Sequence, residues 1–234
     1  MAGKKHPWKI CPAGEYFVSA HYKTINGKEH FWSAHCRKGK SKKDILTSDE
    51  IKEIAKRFKN EKLKMPRSYN FKAPNGNEYD LLIAGWVKYW CDIFGSQTNI
   101  TVDFVKILIM TESSFRNKVT AKTHNRQGEA IGLMQITDYT FKLTQEDGKE
   151  LKSHVFNLKR EEVFEPEVNI CLGVRWLFRK RDIAKYYLKN EPSALQLAEE
   201  YKGIRNDKSN KSAKQRNEFM KYLKEYRNAK VPKK

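Results

Sequence analysis

The chain has 234 residues, 39% of them hydrophobic and 32% charged. That permits one substantial packed domain plus a smaller module, and the charges that interrupt every apolar run exclude a membrane-spanning helix. A formal charge of +19 implies an anionic partner (nucleic acid, an anionic membrane or a cell-wall polymer) without choosing among them.

Residues 1–11 carry lysines and a histidine with no apolar stretch behind them, so they do not read as a secretory signal. Phe17-Val18-Ser19-Ala20-His21-Tyr22-Lys23 then recurs as Phe31-Trp32-Ser33-Ala34-His35-Cys36-Arg37, on either side of Ile25-Asn26-Gly27-Lys28. Asn-Gly is a strong hairpin signal because both residues tolerate positive φ. Residues 1–40 therefore read as a small β-hairpin module. His21 and His35 occupy equivalent places and Cys11 lies near Cys36, which raises zinc. His35 and Cys36 are neighbours on a strand, however, and point to opposite faces, so no metal and no cofactor is expected. Packing of aromatic and histidine side chains across the hairpin is the plainer reading. A wall-, envelope- or delivery-binding surface is the functional one.

Residues 41–75 read as a basic helix and linker. Ser48 is a plausible cap, and Ile51, Ile54, Ala55 and Phe58 share one face. Pro66 and the stretch Ala73-Pro74-Asn75-Gly76-Asn77 read as loop, placing a domain boundary there. Residues 76–230 read as helical. One helix over 79–94 ends near Gly95, and a second is capped by Thr101 and runs through Ser113. A short one lies over 137–145 and a long one over 167–188. Ser193 caps a helix with Ala194, Leu197, Ala198 and Tyr201 on one stripe. A last helix carries Phe219, Leu223 and Tyr226 before a basic tail. Cys91 and Cys171 lie in apolar helical patterns and read as free core thiols. No Cys-x-x-Cys is present, and spacing alone leaves a disulfide open.

On the helix after Thr101, Val105, Leu108 and Ile109 form a buried stripe, and the next position on that stripe is Glu112. A carboxyl kept from water is costly unless paired or protonated, and a protonated one can donate to a glycosidic oxygen. Twenty residues on, Gly132-Leu133-Met134-Gln135-Ile136 combines close backbone packing with a glutamine that needs partners. Asp138 reads as a surface or capping carboxylate.

Glu112-Ser113, Gly132-Leu133-Met134-Gln135, Asn169-Ile170 and the run from Ala198 to Tyr201 stand in the order found in lytic transglycosylases. Over roughly residues 76–205 the chain resembles that domain of the goose-type lysozyme-like superfamily. The resemblance implies a mainly α, lysozyme-like α+β fold acting on peptidoglycan glycan strands in the cell envelope or periplasm. It implies that Glu112 is acid and base, and that the product is a 1,6-anhydromuramoyl end. Ser113 would orient Glu112 or touch substrate, Met134 and Gln135 would line the sugar cleft, and Tyr201 would stand by the carboxylate. Two departures matter. Lys202 follows Tyr201 where the family usually has Asn, and the polar loop from Thr123 to Ala130 is longer than usual. Glu129 could thereby reach the cleft edge and support hydrolysis, as in goose-type lysozymes. The basic surface would meet anionic wall polymers. The N-terminus leans toward a phage-borne or specially secreted protein. A basic nucleic-acid-binding protein is the alternative of a different class, but the basic residues are dispersed and no helix-turn-helix, zinc-finger or stacking motif is visible.

Overall fold

The computed structural model describes residues 8–40, 43–96, 98–123 and 127–229. His124, Asn125 and Arg126 of the polar loop, the first seven residues and the end of the basic tail lie outside the described residues.

The chain opens with one long hairpin. Strands β1 (Glu15–Val18), β2 (His21–Ile25), β3 (Lys28–Trp32) and β4 (His35–Lys38) pair antiparallel, β2 with β3 and β1 with β4. Asn26 and Gly27 both take positive φ, 51° and 75°, which is the turn that matches strand twist. The two ladders share one register across the Ser19-Ala20 and Ser33-Ala34 breaks. The sequence repeat is a structural repeat too: His21 Nδ1 lies 3.0 Å from the Ser19 carbonyl, and His35 Nδ1 lies 2.9 Å from that of Ser33.

The base of the hairpin is tied down three ways. A Cys11–Cys36 disulfide closes it, so neither thiol is free to bind the zinc that the sequence raised. The Lys9 ammonium sits 3.0 Å from the buried Glu50 carboxylate, which also accepts from the Ile10 amide. The Ser19 hydroxyl donates to Asp49 at 2.6 Å.

Strand β5 (Ile45–Thr47) leads into α1 (Ser48–Arg57). The helix cap is Thr47 rather than Ser48. Thr47 is still extended and its hydroxyl accepts from the Glu50 amide, whereas Ser48 already lies in the helix. Phe58, just past α1, is fully buried with its ring centroid 5.1 Å from that of Trp86, and Gly85 leaves room for that ring. Burying such a side chain stabilises by about 2 kcal/mol. Ile51, Ile54, Phe58 and Phe71 belong to the same apolar core as the helices that follow.

Those helices are α2 (Asp80–Phe94) and α3 (Val102–Ser113). A small antiparallel sheet then forms from β6 (Thr120–Lys122), β7 (Glu129–Ile131) and β8 (Ile136–Thr137). Helix α4 (Asp138–Thr144) and strand β9 (Val155–Asn157) follow, and β9 pairs in parallel with β5. Helix α5 (Pro166–Leu188) starts on a proline, which suits the first turn, and runs for 23 residues through the core. Its buried apolar side chains reach from Val168 to Ala184, and it packs against α1, α2 and α6 (Ala194–Lys202). Helix α7 (Asn210–Asn228) closes over α3. Of the two other cysteines, Cys171 is buried and Cys91 half-buried, both as free thiols. The architecture is mainly helical and lysozyme-like, with the hairpin at its N-terminal side. No helix among the described residues is long and apolar enough to cross a membrane.

Candidate active site

Helix α3 holds its position through an internal cation. Lys106 is fully buried, and its ammonium lies 2.8 Å from Asp80 and donates to Asn77 at 2.7 Å and to the Arg67 carbonyl at 3.0 Å. Burial pushes the Asp80 carboxyl up to about 6 against the pull of Lys106. Desolvation lowers the Lys106 amine against the pull of Asp80. Thr101 caps the helix by accepting from the Phe104 amide. Ser114, left-handed at φ 51°, ends it one residue past Ser113.

Glu112 lies in the last turn. Its side chain is 14% exposed, and its Oε1 is 2.6 Å from the ammonium of Lys202, itself 6% exposed. Ser113 points the other way. It is buried, and its hydroxyl donates to the Ile109 carbonyl at 3.3 Å, so its contact is with its own helix rather than with Glu112.

The Gly132–Gln135 turn is tied to the same end of α6 as Lys202. Gly132 takes φ 75°, and a side chain there would run into the Asn169 amide. Asn169, buried in α5, accepts from the Met134 amide at 2.7 Å and donates to the carbonyls of Ile131 and Val163 at 3.1 and 2.9 Å. Gln135, also at positive φ, donates to the Gly132 carbonyl at 2.9 Å. The Met134 side chain is fully buried against Gly173 of α5, where no side chain keeps it off the helix. What Met134 offers the site is its carbonyl, which accepts from the Tyr201 hydroxyl at 2.7 Å.

Tyr201 and Lys202 end α6, and Gly203 stops the helix in a left-handed cap. Burial, and then the negative charge of Glu112, push the Tyr201 hydroxyl well above its usual value. Tyr201 thus stands close enough to feel the carboxylate, with its own proton committed to Met134. Glu129 lies on β7 with its side chain exposed. Its amide donates to Asp138 at 2.7 Å and its carbonyl accepts from Arg160 at 2.9 Å. Asp138 is paired with Arg160, as a surface carboxylate would be. A shallow apolar hollow of about 360 Å³ flanks the same end of α3, between Phe71, Pro74, Met110 and Phe115, without including Glu112.

Of the residues singled out from sequence, the fold brings Glu112, Met134, Gln135 and Tyr201 around the junction of α3, α6 and the 132–135 turn. The Ser113 hydroxyl bonds back to its own helix, and the Glu129 side chain is exposed on β7. Sequence reasoning missed the buried Lys106. It noticed Lys202 only as a departure, and nothing in the local pattern says that this lysine reaches 90 residues back to Glu112.

The Transglycosylase SLT domain family matches residues 92–220, more than half of the chain and every residue of this junction, and the chain belongs to that family. Its substrate is accordingly peptidoglycan, and it acts on the cell wall, outside the cytoplasm. No curated protein and no solved structure matches the chain.

Proposed function

We propose that the protein cuts the β-1,4 bond between N-acetylmuramic acid and N-acetylglucosamine with Glu112 as the single acid and base. In the first half, the Glu112 proton passes to the glycosidic oxygen and the bond from that oxygen to the muramoyl C1 breaks. In the second, the Glu112 carboxylate takes the proton of the muramoyl C6 hydroxyl as that oxygen bonds to C1. The product is a 1,6-anhydro end, Glu112 finishes protonated, and no water is consumed. One carboxylate does both jobs, unlike the paired carboxylates of most glycosidases. The observation that carries this reading is the shielded position of Glu112 beside the Tyr201–Met134 bond. Gln135, half-buried at the same turn, is the side chain assigned to the sugar.

The exposed tip of the hairpin supplies a second contact with the wall. Tyr22 and Phe31 are 69% and 61% exposed and lie opposite each other, 5.2 Å between centroids, with Lys23 and Lys28 nearby. Aromatic faces accept the C–H faces of sugars, and the lysines suit anionic wall polymers. The Cys11–Cys36 disulfide fits an oxidising compartment, and delivery by a phage or a specialised secretion machine is consistent with it.

The test is the set of muropeptides released from purified sacculi, read by mass spectrometry. Anhydro ends support the reading. Reducing ends would instead make the protein a muramidase that activates water.

A further inference from the structure

The ion pair at Glu112 carries a consequence for the timing of its two proton transfers. Lys202 reaches Glu112 from the last turn of α6, 2.6 Å away, and both side chains are largely out of water. Both α3 and α6 end at this junction, so two sets of helix C-terminal carbonyls disfavour negative charge here. A carboxylate persists in such a place when a cation is held against it. The other charged groups on α6 have their own partners. On α6, Glu199 is paired with Arg216 of α7, and Glu200 with Lys180 of α5 at 3.4 Å and Arg205 at 3.2 Å. Tyr201 is uncharged and bonded to Met134, Arg116 donates to the Ser113 carbonyl, and Glu129 is exposed on β7.

Resting on the reading of Glu112 above, we propose that Lys202 is a positioning residue that stabilises the Glu112 carboxylate midway through the reaction. The pair seen here has the charge state that exists after the glycosidic oxygen has been protonated and before the C6 hydroxyl has been deprotonated. Lys202 favours formation of that state and holds the carboxylate in place as base. It neither gains nor loses a proton over the cycle.

The experiment is the pH dependence of sacculus cleavage by the wild type and by Lys202→Asn, Lys202→Gln and Lys202→Arg, each checked for an unchanged unfolding midpoint. Loss of the charge in the Asn and Gln variants should move the alkaline limb of kcat/KM to higher pH. It should also lower kcat on the acid plateau by about tenfold or more, the size of a lost charge-assisted hydrogen bond, with little change in KM. Arg should restore the alkaline limb. A merely structural role would lower activity without moving that limb, and an unmoved limb in the folded Asn or Gln variant overturns the proposal. If either neutral variant fails to fold, the Arg variant decides: its limb must coincide with that of the wild type, and a shift to higher pH refutes the charge argument. Glu112→Gln separates the two readings. If it still cleaves, the assignment of Glu112 fails. If it is inactive and the limb of Lys202→Asn is unmoved, only the role of Lys202 fails.

Discussion

The Asn169 side chain accepts the Met134 amide at 2.7 Å, and so ties the longest helix to the turn that supports Tyr201. Three buried hydrogen bonds meet at this one amide, two of them donated to carbonyls of Ile131 and Val163. Asn169→Leu removes these three buried hydrogen bonds. Each is worth about 1 kcal/mol, so a loss of about 3 kcal/mol in unfolding free energy is expected. Urea titration of the two proteins measures it. A loss under about 1 kcal/mol would mean that the turn holds itself.

The Asp80–Lys106 pair gives a signed pH dependence. Burial raises the Asp80 carboxyl from 3.8 to about 6, so between those values the folded chain holds a proton that the unfolded chain has released. The contribution of this group to stability is therefore complete below 3.8 and declines as pH rises toward 6. Asp80→Asn should flatten the stability profile across that window. Lys106→Met, which strands the carboxyl in the interior, should cost about 3 kcal/mol at neutral pH, and the double variant should recover part of it. Parallel profiles for wild type and Asp80→Asn between pH 4 and 6 would refute the account.

For the hairpin, Tyr22→Ala combined with Phe31→Ala removes two exposed rings and no core contact. The unfolding midpoint should hold while pelleting with sacculi falls about fivefold or more, and the binding that remains should weaken as salt rises. Reduction of the Cys11–Cys36 disulfide, which spans 25 residues, should lower stability by about 3 kcal/mol and weaken the same binding. Unchanged pelleting in the double variant would leave the hairpin without a wall-binding role.

The helices were legible in sequence because their signals are local. Thr101, Ser193 and Gly95 mark the ends of elements as caps and stops do, and the apolar stripe that leads to Glu112 has helical spacing. The Asn26-Gly27 turn was legible for the same reason. Pairings between distant segments were not. Nothing near Ile45 announces a parallel partner at Val155, and nothing near Lys106 announces Asp80. At the site, the residue types at Glu112 and Tyr201 were readable, but their partners were not. The motif fixes the place of Met134 in the chain, while the packing of its side chain depends on a glycine in α5.

The central claim is that one carboxyl, Glu112, moves both protons. Cleavage of purified sacculi by Glu112→Gln, followed by release of soluble muropeptides, tests it most directly. The account predicts a folded protein that still pellets with sacculi and releases muropeptides at least a thousandfold more slowly, an effect of the size of general acid–base catalysis acting in both steps. Release at the wild-type rate by the folded variant would contradict it.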